Sequence, residues 1–188
     1  MSLLPRSQTL LATSIEISDR DRYECVDGKL ISMNQSTRKH DKVVKFLSQR
    51  FTQEIQPIHR NWVVCDGKIQ LQTTEHRLRI PDICILTSEQ NQNLKITEPI
   101  LNNSIPVLVV EVIGKGTRTQ DTKAKRKEYQ NLQIPEYWMV DFRPSSASVC
   151  ILSLVEERYQ LKKFHHNQMI ISPTFPNLAL NVEQVLDV

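Results

Sequence analysis

The sequence predicts a mixed α/β (α+β) fold in one domain, a mixed β-sheet flanked by a few helices. Three observations carry that expectation. The segment Pro106–Val107–Leu108–Val109–Val110–Glu111–Val112–Ile113 is an apolar, β-branched run that reads as a strand buried on both faces. Asp-Gly pairs at Asp27–Gly28 and Asp66–Gly67 lie between short strand-like runs, where type I′ hairpin turns belong. Residues 37–55 and 119–132 carry apolar side chains at helical spacing.

Taken in order, residues 1–15 read as a less ordered lead-in to one domain spanning 1–188, with a short helix near Ser18–Arg22. Tyr23–Val26 and Lys29–Met33 form the first predicted hairpin. A helix follows over Thr37–Ile55, capped by Ser36 or Thr37, with Val43, Val44, Leu47, Phe51 and Ile55 on its apolar face. Trp62–Cys65 and Lys68–Gln72 form a second predicted hairpin; Ile69 and Leu71 alternate there with polar residues, giving one wet face. Ile83–Leu86 is another apolar strand, opened by Pro81–Asp82. Residues 87–105 are polar and read as a loop with one helical turn. After Gly114 a helix runs over Thr119–Leu132, then strands at Glu136–Asp141, Val149–Val155 and Tyr159–Phe164. Pro173 and Pro176 interrupt the chain before a short closing segment.

Composition narrows the function less than the pattern does. With 188 residues, 24% charged and 39% hydrophobic, the chain has the make-up of a soluble globular protein. A net charge of +3 argues neither for nor against nucleic acid. Cys25, Cys65, Cys84 and Cys150 are widely spaced and mostly in strand-like stretches, which suits reduced thiols and argues against a zinc site. Neither a signal peptide nor a membrane-length apolar run is visible, so a cytoplasmic location is expected. There is no Gly-rich phosphate loop, no G-x-S-x-G elbow, and no sequence-local metal partner for His165–His166.

Glu111 stands where a carboxylate is expensive to bury unless a cation or several donors meet it. Asp82 opens a second apolar strand, and two carboxylates on neighbouring strands suit a hard divalent ion. On the helix that follows Glu111, a step of about 100° per residue groups Asp121, Lys125, Tyr129 and Leu132 on one stripe. Lys123, Arg126 and Lys127 fall on the opposite side. Lys125 is therefore expected to face the sheet, as a structural counter-charge or as a catalytic cation. Glu24 points opposite to Tyr23 and Cys25 in its strand. His40 shares a stripe with Val44, Leu47 and Phe51, a position more typical of a core-edge histidine than of a ligand. Gln70 faces either the acids or water.

These residues also occur in a familiar order. Tyr23–Glu24–Cys25–Val26–Asp27–Gly28, His40, Pro81–Asp82, Val109–Val110–Glu111–Val112, Thr117–Arg118, Asp121-x-x-x-Lys125-x-x-x-Tyr129 and Pro135–Glu136–Tyr137–Trp138–Met139–Val140–Asp141 together resemble the Uma family of putative restriction endonucleases, abundant in cyanobacteria. The resemblance runs from about residue 15 to the C-terminus. It implies a restriction-endonuclease-like fold of the PD-(D/E)xK superfamily, with Asp82 and Glu111 holding Mg²⁺, or Mn²⁺ in its place. The superfamily lysine lies two residues after the second acid, where this chain has Ile113; Lys125 matches the lysine of the Uma pattern instead. Glu24 matches the opening acid, able to reach the metal directly or through water, and His40 matches a histidine often found there.

Such a site would hydrolyse phosphodiesters in DNA. The Val112 carbonyl could add a metal ligand, and Lys125 would orient water or stabilise the transition state. Lys115, Arg118 and Lys123 would contact phosphates, and a homodimer would be the active form. The competing expectations are a catalytically silent module that keeps the fold and binds nucleic acid or protein, and a purely structural ion network.

Overall fold

The computed structural model describes residues 23–33, 36–94, 100–101, 104–114 and 119–188. The expected helix near Ser18–Arg22 lies outside them. Among the described residues the strands form two sheets. The larger contains β3 (Trp62–Asp66), β6 (Ile83–Thr87), β8 (Leu108–Ile113), β9 (Glu136–Asp141), β10 (Ser148–Val155) and β11 (Arg158–Phe164), in the order β11-β10-β9-β8-β6-β3. It is mixed: β8 and β9 run parallel, and the other neighbours are antiparallel. The smaller sheet contains β1 (Tyr23–Val26), β2 (Lys29–Ser32), β4 (Gln70–Thr74), β5 (Arg77–Arg79) and β7 (Ile100–Leu101), in the order β2-β1-β5-β4-β7.

The single sheet expected from the sequence is thus two. The second expected hairpin is the reason. At Asp27–Gly28 both residues have positive φ, 51° and 75°, and the chain folds back from β1 into β2 as a type I′ turn requires. At Asp66–Gly67 only Gly67 does, at 53°. There β3 is paired along its length with β6, a pairing that Gly67 N–H extends to the Asp82 carbonyl at 2.8 Å. The chain then leaves the large sheet, and β4 pairs with β5 in the small one. β4 buries one face, through Leu71 and Thr73 with Ile69 just before the strand, whereas β6 and β8 are covered on both faces.

Among the described residues the helices are α1 (Arg38–Ile55), α2 (Ser88–Gln92), α3 (Thr119–Asn131) and α4 (Val182–Leu186). Thr37 caps α1, accepting from His40 N–H at 3.2 Å, and Val43, Leu47, Phe51 and Ile55 are buried beneath it. Alternation along β8 divides the core. Leu108, Val110 and Val112 pack on the α1 and α4 side, with Phe51 stacked on Phe175. Val109 faces the other way, toward Ile69 and Leu71 of the small sheet and Tyr129 of α3. Gly114, at the exit of β8, faces the ring of Phe142 so closely that a Cβ would lie 2.8 Å from it. All four cysteines are free; Cys84 and Cys150 are buried, Cys25 and Cys65 half-buried. Among the described residues no helix is long and apolar enough to cross a membrane.

Candidate active site

Register brings the two acids together. Ile83 of β6 stands opposite Val110 of β8, so one step further Asp82 falls beside Glu111. Asp82 Oδ2 accepts the Val112 N–H at 2.7 Å, and Oδ1 lies 3.3 Å from His40 Nε2 at the start of α1. Ile113 gives its carbonyl to Phe142 N–H on the opposite edge of β8. Strand alternation therefore turns the N–H and C=O of Val112 toward Asp82. Asp82 and His40 also line an open cleft of about 390 Å³ with Asp41, Lys45, Asp66 and Gly67.

Glu111 shares the face of Val109 and meets α3. Lys125 Nζ lies 3.0 Å from Glu111 Oε2, and Tyr129 donates its hydroxyl to Oε1 at 2.7 Å. The helical phase expected from the sequence holds: Lys125 and Tyr129 are buried, Leu132 is half-buried, and Lys123, Arg126 and Lys127 are exposed. The side chain of Asp121, and Lys115 and Arg118 entirely, lie outside the described residues. Lys125 is only 6% exposed, and its ammonium also lies 2.9 Å from Glu24 Oε1 on β1. Glu24, Asp82, Glu111 and Lys125 thus converge from β1, the entry to β6, β8 and α3, with His40 at their edge.

Electrostatics separates these groups. Burial pushes the Glu111 carboxyl up to about 7; the Asp82 and Glu24 charges add to that, while Lys125 and the Tyr129 hydroxyl oppose it. His40 is held above its ordinary value: burial opposes its charge, but Asp82 and Asp41 outweigh it. Burial pushes the Tyr129 hydroxyl up, so it stays a neutral donor toward Glu111. Among the described residues no three His, Cys, Asp or Glu side chains form a metal cage by themselves. Mg²⁺ characteristically takes one or two carboxylates and leaves its remaining positions to water and phosphate. Asp82, Glu111 and the Val112 carbonyl fit that donor set, at a place where a buried acid is short of positive charge.

Several participants were not foreseen from the sequence. Arg79, Glu128 and Thr73 form a buried wall behind Glu24. Arg79 donates to Glu24 and to both oxygens of Glu128, and Thr73 donates to Glu128 Oε2 at 2.7 Å. Arg77 joins Glu128 to Asp27 on the outside. The spacing Arg77-x-Arg79, putting two cations on one strand face, was the available signal. Gln70 lies one residue from Leu71, which packs into the core facing α3, so its side chain turns away from the acids. His165 is half-buried and its Nδ1 lies 3.1 Å from the Ala147 carbonyl; His166 is exposed. Lys163 is a further missed candidate. The register row Glu111, Met139, Cys150, Lys163 crosses four strands on one face of the sheet and ends on this exposed lysine.

Comparison with known proteins agrees with this architecture. A search of curated proteins gives no match. A solved structure described as a "putative nuclease belonging to DUF820" from Anabaena variabilis is similar with a TM-score of 0.71 at 14% identity, covering 88% of this chain and 89% of that one. That likeness shows the restriction-endonuclease-like fold. The family model Uma2, described as "Putative restriction endonuclease", matches residues 9–183. Matched over nearly its whole length, the chain belongs to the Uma2 family, whose membership supports a nuclease-like function.

Proposed function

We propose that this protein is a Mg²⁺-dependent DNA endonuclease with a PD-(D/E)xK-type site, acting in the cytoplasm as a homodimer. The observation that carries the reading is the convergence of two adjacent strand acids and a buried lysine, with Asp82 of that group lining an open cleft. Asp82, Glu111 and the Val112 carbonyl would hold Mg²⁺, or Mn²⁺ in its place, and the ion would supply charge neutralisation and acidify a water.

The chain's own groups account for the rest. Hydrolysis adds negative charge to a phosphate that is already anionic, and Lys125 offers a fixed ammonium beside Glu111 to orient water or stabilise that charge. Its location on α3 supplies what Ile113 does not. His40 lies where Asp82 meets the cleft. Its imidazole, held above its ordinary value against the opposing effect of burial by Asp82 and Asp41, is suited to hold a phosphate oxygen when it carries its proton. Tyr129 fixes the rotamer of Glu111. Phosphate contacts further along the DNA fall to Lys115, Arg118 and the exposed Lys123, together with Lys163.

The test is cleavage of supercoiled and linear DNA with Mg²⁺ or Mn²⁺ by wild type and by Glu111→Ala. Metal-dependent cutting that disappears in a folded Glu111→Ala, and equally in Asp82→Ala, is the expected result. Full activity in either variant removes these acids from the mechanism. A folded wild type that binds DNA and never cuts it identifies a silent binding module.

A further inference from the structure

Lys125 reaches Glu111 on a flexible four-carbon stem, and a lysine placed for catalysis has to be pinned. The wall behind it does this from two directions. Arg79 of β5 is 2% exposed, and its Nη1 donates to Glu24 Oε2 at 2.7 Å. The other oxygen of Glu24 meets Lys125 Nζ at 2.9 Å and accepts the Ile80 N–H at 3.2 Å. On its other side Arg79 forks onto Glu128, with Nε to Oε2 at 2.9 Å and Nη2 to Oε1 at 2.8 Å. Glu128 stands one helical turn after Lys125 on α3. The guanidinium therefore reaches Lys125 by side chain through Glu24, and by backbone through the helix that Glu128 ties down.

We propose that Arg79 is the positioning residue of this site: anchored by Glu128, it fixes Glu24, and through Glu24 it holds the Lys125 ammonium against Glu111. The proposal rests on the nuclease reading for its catalytic consequence, and on geometry alone for the positioning. It also gives Glu24 the task of linking the two cations, Arg79 on one oxygen and Lys125 with the Ile80 N–H on the other. Only a planar, bidentate cation can span the two carboxylates; a lysine at position 79 keeps the charge and loses the fork.

The experiment uses Arg79→Lys and Glu128→Gln, each confirmed folded by thermal melting above the assay temperature. The readouts are the ¹H–¹⁵N signal of the Lys125 ammonium, assigned by its loss in Lys125→Met, and steady-state DNA cleavage with Mg²⁺. Wild type is expected to show a sharp, slowly exchanging Lys125 signal. Arg79→Lys is expected to broaden it beyond detection and to lower kcat by about 10²-fold with KM nearly unchanged. Glu128→Gln moves both in the same direction by less. A signal absent from wild type, or sharp in Arg79→Lys, overturns the positioning, as does a broadened signal with an unchanged kcat. If wild type cuts no DNA, the ammonium signal alone decides the positioning, and it is the nuclease reading that has failed.

Discussion

Glu111 and Glu128 are both buried carboxylates, one reaching α3 from β8 and the other standing on α3, and their surroundings are opposite. Burial raises the Glu128 carboxyl, but hydrogen bonds from Arg79, Thr73 and Arg77 outweigh it and hold it down to about 2. Burial raises Glu111 as well, and there one ammonium shared with Glu24 must also offset Asp82, so the carboxyl stays up at about 7. Positive charge is plentiful on one side of a single network and short on the other. Glu128 meets two guanidinium groups and a hydroxyl, whereas Glu111 meets one shared ammonium and one neutral hydroxyl. In the proposed function a bound divalent ion would meet that shortfall; in a purely structural network the proton on Glu111 would meet it instead.

The comparison is broken most directly at Lys125, the one described cation in contact with Glu111. Lys125→Ala is expected to lower metal-dependent cleavage by about 10²-fold or more, the scale of losing one positioned electrostatic group. A wild-type rate in single-turnover assays would make Lys125 structural, and would remove with it the catalytic consequence of its positioning by Arg79 and Glu128. A control of the opposite kind is Glu136, on the neighbouring parallel strand at the other end of the sheet. It accepts from Trp138 Nε1 at 2.6 Å, from Ser172 Oγ at 2.7 Å and from Thr174 N–H at 2.7 Å, with no cation among these donors. Glu136→Ala would strand three donors, the indole of Trp138 on its own strand and two, Ser172 and Thr174, that fasten the C-terminal segment. At about 1 kcal/mol or more for each, the expected loss is roughly 3 kcal/mol in urea unfolding, with the cleavage rate unchanged below the melting transition.

The same contrast explains what could be read from the sequence. Glu111 was conspicuous because it interrupts an apolar run, and Lys125 could be assigned an inward direction because helical phase is a local property. Both depend on a few neighbouring residues. Arg79 was invisible as a site residue because its partners lie 55 and 49 positions away, at Glu24 and Glu128. A three-residue strand offers too little alternation to reveal its buried face. The Asp66–Gly67 turn failed for a related reason: the dipeptide carries a turn preference, but whether β3 pairs with β4 or with β6 is decided by which strands need cover on both faces. The family resemblance supplied the order of motifs, and neither it nor the periodicity revealed the second sheet that brings Glu24 to Lys125.

The smallest effect, and the sharpest for the comparison, is in the pH dependence of stability. Glu111 has its folded-state pKa raised from 4.5 to about 7, so its protonated form is favoured by folding. Its contribution is complete below about 4.5 and declines as pH rises through about 7. Glu128 is lowered from 4.5 to about 2, so its contribution is present above about 4.5 and is lost as pH falls toward about 2. His40, raised by Asp82 and Asp41 against the opposing effect of burial, adds to the alkaline limb above 6.5. Asp141, lowered by Arg143 and Ser146 against burial, adds to the acid limb. Urea midpoints between pH 3 and 9 should therefore show both limbs in wild type. Glu111→Gln should flatten the decline between about pH 5 and 8 and leave the acid limb, while Glu128→Gln should do the reverse. Millimolar Mg²⁺ should flatten the alkaline limb of wild type and of Glu128→Gln, but not that of Glu111→Gln, because an ion that needs the Glu111 carboxylate competes with its proton. An alkaline limb indifferent to Mg²⁺ in wild type would mean that the charge deficit at Glu111 is not met by a metal.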